Sequence, residues 1–133
     1  MTGRLAAFTA RASQPTAAAK AWAWQELTTN RTLSNYDLNA LATGFWRSTD
    51  PELVQPYAER YFAEVPPMSQ WVGDDALSRV AEYAYPSRVV EPEVAALGEA
   101  ALARDDLSPG VRRAMVDCHS RMGESLRSRA VFG

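Results

Sequence analysis

The stretch Pro109-Gly110-Val111-Arg112-Arg113-Ala114-Met115-Val116-Asp117-Cys118-His119-Ser120-Arg121-Met122-Gly123-Glu124-Ser125-Leu126 decides the fold class. Val111, Met115, Cys118, Met122 and Leu126 follow one another at intervals of 4, 3, 4 and 4. That spacing draws one apolar stripe along an α-helix, and Arg112, Asp117, Arg121 and Glu124 fall off it. Leu38, Leu41, Phe45 and Trp46 repeat the pattern, as do Val94, Leu97, Ala101 and Leu102. Composition points the same way: with 23 alanines, no isoleucine and ten valines, strong helix formers abound and residues suited to a pleated surface are scarce. The expected fold is all-α.

Prolines supply the punctuation. Pro15, Pro51, the pair Pro66 and Pro67, Pro92 and Pro109 mark helix starts and linkers, because proline at the first helical position gives up an amide that would have no intrahelical partner. Asp50-Pro51 and Ser108-Pro109 read as starts capped by the preceding side chain, and Ser34 with Asp37 three residues on reads as a relative of the capping box. The expected helices cover about residues 4–12, 15–28, 35–46, 51–64, 69–84, 92–104 and 109–128. Two of them carry a breaker. Pro56 should delete a hydrogen bond and restart the fourth helix after a turn at 51–55, and Gly73-Asp74 should kink the fifth near Val72. Trp22 and Trp24 lie about 200° apart around a helix, so burying both requires neighbours on two sides, which makes 15–28 an inner helix. Short antiparallel helices with one or two apolar faces suit stacked helical hairpins, a HEAT/ARM-like α-solenoid of about seven helices with degenerate repeats. At 133 residues the chain is expected to be one helical domain.

Charge and scarce residues exclude several activities. Fourteen basic and sixteen acidic residues leave a net charge of −2 and no global positive field, so nucleic acid is not an expected partner. No apolar run approaches a membrane span and no secretory leader is visible, so no membrane partner is expected and a cytoplasmic location is. Cys118 is the sole cysteine and His119 the sole histidine; neither a disulfide, a four-cysteine zinc site nor a His-Glu-x-x-His helix can be built from them.

The remaining candidates each have a plain reading beside the chemical one. Cys118 and His119 are neighbours pointing about 100° apart on a helix, and Cys118 lies on the apolar stripe as a small buried hydrophobe. Asp74-Asp75 and Asp105-Asp106 lack a regular series of oxygen ligands and read as helix-start and loop acids. Arg112, Arg113, Arg121, Arg127 and Arg129 make the tail basic, and interleaved Asp117 and Glu124 suggest an ion-paired, solvated face rather than a phosphate site. The aromatic residues are either solenoid core or the lining of a peptide groove. Trp46, Tyr57 and Tyr61 are the candidates of that kind, Trp46 being expected to pack on the helix of Tyr57 and Tyr61.

A family resemblance rests on three runs: Pro15-Thr16-Ala17-Ala18-Ala19-Lys20-Ala21-Trp22, Leu38-Asn39-Ala40-Leu41-Ala42-Thr43-Gly44-Phe45-Trp46, and Pro51-Glu52-Leu53-Val54-Gln55-Pro56-Tyr57-Ala58-Glu59-Arg60-Tyr61-Phe62. With Tyr85-Pro86, Leu107-Ser108-Pro109 and the end Leu126-Arg127-Ser128-Arg129-Ala130, the segment of about 13–130 resembles the carboxy-terminal helical domain of actinobacterial aminopeptidase N, of the M1 zinc metallopeptidases. The resemblance implies a HEAT-like domain that caps the active site, encloses a chamber and limits which peptides reach the zinc. It further implies a catalytic domain elsewhere in the same enzyme, with a His-Glu-x-x-His zinc motif and a Gly-x-Met-Glu-Asn loop. Neither motif occurs in this chain, so no catalytic, metal or cofactor residue transfers to it; zinc would belong to the parent enzyme, and this segment would be inactive alone. The expected partners are the catalytic domain and peptide substrates. A freestanding helical-repeat scaffold that binds another protein is the second reading.

Overall fold

The computed structural model describes residues 2–47 and 51–132. Within them lie α1 (Thr2–Ala12), α2 (Ala17–Thr29), α3 (Asn35–Phe45), α4 (Pro51–Glu64), a 3-10 turn (Pro66–Gln70), α5 (Asp74–Tyr83), α6 (Pro92–Leu102) and α7 (Pro109–Phe132). All regular structure among the described residues is helical.

The helix starts follow local chemistry. Thr16 Oγ1 accepts the amide of Ala19 at 3.1 Å, and Ser34 and Asp37 form a reciprocal box in which each side chain accepts the other's backbone N–H. Asp50 lies outside the described residues. Ser108 departs from expectation, since its Oγ is buried without a partner. The start of α7 is capped instead by Asp74, whose two carboxylate oxygens accept the Gly110 N–H at 3.1 and 3.0 Å. A Cβ on Gly110 would stand 2.8 Å from Asp74 Oδ2 and 2.9 Å from the Asp74 backbone oxygen, so glycine is what admits this close approach.

Both expected breakers behave differently from the reading above. α4 runs unbroken through Pro56. The ring sits on the exposed side, while Val54, Ala58, Tyr61 and Phe62 are buried on either side of it, and that burial outweighs the one lost hydrogen bond. The span 69–84, by contrast, is two elements rather than a kinked helix. Pro66-Pro67 open a 3-10 turn, Trp71 leaves it at φ −138°, and Gly73 enters α5 from an extended conformation at ψ 151°. Asp74 and Asp75 then fill the first turn of α5, where carboxylates complement the helix dipole.

The helices stack in two rows. α1 touches α3, α3 touches α5 and α5 touches α7, while α2 touches α4 and α4 touches α6. Helices within the odd-numbered row run parallel. Arg4 at the start of α1 pairs with Asp37 at the start of α3 at 3.0 Å, and the ends of the same two helices meet where Gly44 packs on Thr9 and Ala12. Asp74 and Gly110 join the starts of α5 and α7; Trp46 joins the ends of α3 and α5. Successive helices therefore alternate in direction, as hairpins stacked on one another must. One core of buried residues runs from Ala12 to Met122, with the stripe Val111, Met115, Cys118 and Met122 on its α7 side.

No described residue has a positive φ, so no helix ends in the left-handed glycine cap common elsewhere. Side chains from neighbouring segments supply the missing donors. Lys20 Nζ donates to Ala12 O and Phe45 O, both at 2.6 Å. Tyr61 Oη donates to Ala81 O at 2.5 Å and Trp46 Nε1 to Ala84 O at 2.6 Å. Arg104 reaches Phe62 O at 3.1 Å, and Arg112 donates to Leu102 O at 2.9 Å and to Arg104 O.

Candidate functional site

The three aromatic candidates belong to two separate clusters. Trp24, Phe45 and Tyr57 meet with centroids 4.9–5.4 Å apart, and Trp46 joins through Phe45 at 4.9 Å. Tyr61 instead packs edge-on against Phe62 and Tyr85, at 4.9 and 5.2 Å. Trp46 is 4 % exposed and Tyr61 fully buried, whereas Tyr57 is half-buried beneath the guanidinium of Arg60. Burial holds the phenols of Tyr61 and Tyr85 well above the usual tyrosine range. Trp24 is buried and Trp22 half-covered, between Phe8 and Arg11.

One open region lies at the end of the α1–α3–α5–α7 row. α7 has 24 residues and α5 only 10; because their starts coincide, α7 overhangs α5 and leaves a cleft of about 410 Å³ between Glu82, Tyr83 and Ser87 on one side and Arg121, Met122 and Ser125 on the other. A second cleft of about 190 Å³ continues it past Glu82 and Tyr83 to Thr43, Trp46, Arg47 and Arg88. Both aromatic clusters touch this second cleft, one through Trp46 and the other through Tyr85. Arg121 stands 3.7 Å from Glu82 and 3.5 Å from Cys118 Sγ.

Cys118 is 3 % exposed, and its thiol is pushed up by burial, with Arg121 opposing. His119 does not share a proton with it: His119 Nδ1 faces Gly98 and Tyr85 without a partner. Asp74 is the cap of α7, and Asp106 pairs with Arg104 at 2.8 Å, which holds its carboxyl below the ordinary range. Three of the five arginines of α7 take partners outside it: Arg112 caps α6, Arg121 meets Glu82 of α5, and Arg129 donates to Val90 O. Among the described residues, no three His, Cys, Asp or Glu side chains form a group that could hold a metal ion, so the residues present do not fit a zinc site.

The residue that a sequence reading passes over is Lys20. It is fully buried, its two donors end α1 and α3, and desolvation brings it down to about 8. A signal was available, since Lys20 lies four residues before Trp24 and seven before Leu27, on the buried stripe of α2.

The described residues thus form an all-helical domain of two stacked rows, with clefts opening along its surface. Residues 1–122 match the family model of the ERAP1-like C-terminal domain, and the chain belongs to that family. It is also 30% identical over 128 residues to a protein described as Aminopeptidase N from Streptomyces lividans. The alignment covers 96% of this chain but 15% of that relative's length.

Proposed function

We propose that this chain is the C-terminal helical cap of a zinc-dependent aminopeptidase that removes amino-terminal residues from peptides. In this reading a HEAT-like stack shapes the chamber over a catalytic domain of the same enzyme, which carries the zinc. The segment admits or excludes peptides and is non-catalytic by itself. The carrying observation is the asymmetry of coverage, nearly all of this chain against a small part of an aminopeptidase. A cytoplasmic setting goes with the proposal, and no helix among the described residues is long and apolar enough to cross a membrane.

Deleting this segment from the longer polypeptide tests the proposal. Rates on a small aminoacyl chromogenic substrate and on long peptides are compared with and without it. A changed ratio between short and long substrates is expected. An unchanged ratio at full zinc content would overturn the cap role.

A further inference from the structure

The rim of the two joined clefts collects three guanidinium groups, of which Arg121 is paired with Glu82 while Arg47 and Arg88 have no ion pair among the described residues. Several other arginines are committed: Arg104 and Arg112 close helix ends, Arg60 pairs with Glu64, and Arg11 and Arg31 lie over Trp22 and Trp71, whereas Arg79, Arg113 and Arg127 stand singly, away from the rim. At the rim, Arg47, Arg88 and Arg121 face one lining carboxylate among the described residues, Glu82, with which Arg121 pairs. Phe45 O at the end of α3, and Ala81 O and Ala84 O at the end of α5, are taken from inside by Lys20, Tyr61 and Trp46. On the other row, the cleft of about 450 Å³ between α4 and α6 is lined by Glu59, Glu91 and Glu93. In a chain of net charge −2, one end of the stack is thus split into a basic half and an acidic half.

We propose that the basic cleft is the docking site for a carboxylate-bearing segment of the longer polypeptide. The proposal rests on the reading above that the chain is one part of a larger enzyme, and the 15% coverage leaves most of such a polypeptide to supply the partner. Guanidinium groups bind carboxylates through paired N–H donors. Tyr83, 45 % exposed at the junction of the clefts, offers a ring face and a hydroxyl beside them. The acidic half next door repels the same segment, so charge fixes its placement as well as its attraction.

The test uses the whole chain, labelled with ¹⁵N and titrated with blocked peptides, one rich in glutamate and one rich in lysine. The Trp46 indole N–H and the Ser87 amide are the reporters. The acidic peptide should shift both, and its affinity should fall about tenfold between about 50 and about 300 mM salt, as exposed charges are screened. The basic peptide should leave them still, and Arg47→Glu with Arg88→Glu should abolish the response while the rest of the spectrum shows an intact fold. Equal responses to both peptides, or a response that survives the double reversal, would overturn the site. In the longer polypeptide the same double reversal should raise protease sensitivity around residues 85–91; unchanged protection would overturn the proposed occupant. Neither readout measures peptide hydrolysis, so both can fail while the cap reading stands, or succeed while it fails.

Discussion

Asp74 holds Gly110 by both carboxylate oxygens, across the gap between the starts of α5 and α7. The contact joins two helices 36 residues apart in sequence, and it replaces a cap that Ser108 could have supplied from next door. Asp74→Ala should cost about 1–2 kcal/mol, the range for removing a helix cap. Gly110→Ala should be at least as damaging, because its Cβ would meet the Asp74 backbone oxygen at 2.9 Å as well as the carboxylate. Urea denaturation decides it, and a midpoint for Gly110→Ala equal to wild type would refute the close approach.

Lys20 makes stability depend on pH in an unusual direction. Its pKa is about 8 when folded and near the ordinary 10.5 when unfolded, so between these values the unfolded chain binds more protons and folding becomes more favourable as pH rises. The gain from pH 8 to 10 should be about 2 kcal/mol, measured as the difference between wild type and Lys20→Met. That comparison cancels the tyrosines, whose ionisation in the unfolded chain weakens the fold above about pH 10. A difference that is flat across this window would show that the buried amine is not the titrating group.

Trp46→Ala removes a buried indole and leaves Ala84 O without its donor. The expected loss is about 3–5 kcal/mol, against about 1–2 kcal/mol for Tyr61→Phe, which removes only the bond to Ala81 O. If Trp46→Ala left the urea midpoint within error of wild type, the aromatic cluster around Phe45 would not be core.

Alkaline titration should find fewer than five phenolates while the chain stays folded, because Tyr61 and Tyr85 are held protonated by burial. The missing absorbance should appear together with the loss of helical circular dichroism. Five phenolates in the folded chain would contradict the packing of the Tyr61 cluster.

The purified chain should not hydrolyse aminoacyl chromogenic substrates, since a metallopeptidase must activate water at a metal and no described group fits one. Chelator-sensitive turnover that stays with the chain through two unrelated columns would refute this.

The helices were legible because each stripe is a local record of which side faces the core, as in Val111, Met115, Cys118 and Met122. Pro56 misled because its local cost is set against the burial of Tyr61 and Phe62, which no window around the proline contains. Gly73 was recognised as a disturbance, but whether it kinks a helix or begins a new one depends on the extended backbone it adopts. The site was harder to read. Trp46, Tyr57 and Tyr61 share chemistry yet divide between two clusters, and the clefts exist because α7 outruns α5, a difference in length between elements far apart in the chain. Lys20 was hidden by habit: a lysine is ordinarily placed in water, and only the apolar company of Trp24 and Leu27 marks it otherwise.

The borrowed helix endings bear on how the chain comes apart. Arg112 of α7 finishes α6, and Arg104, just past α6, finishes α4. Stripping the last helix therefore bares the end of the one before it, and losing that segment bares the end of α4 in turn. Under tension applied at the C-terminus, the molecule should yield from that end as a run of dependent releases instead of independent modules dropping away in any order. A shortened chain ending near residue 103 would lack both arginines, and it should behave as a loosened remnant, less stable than its remaining helices would suggest.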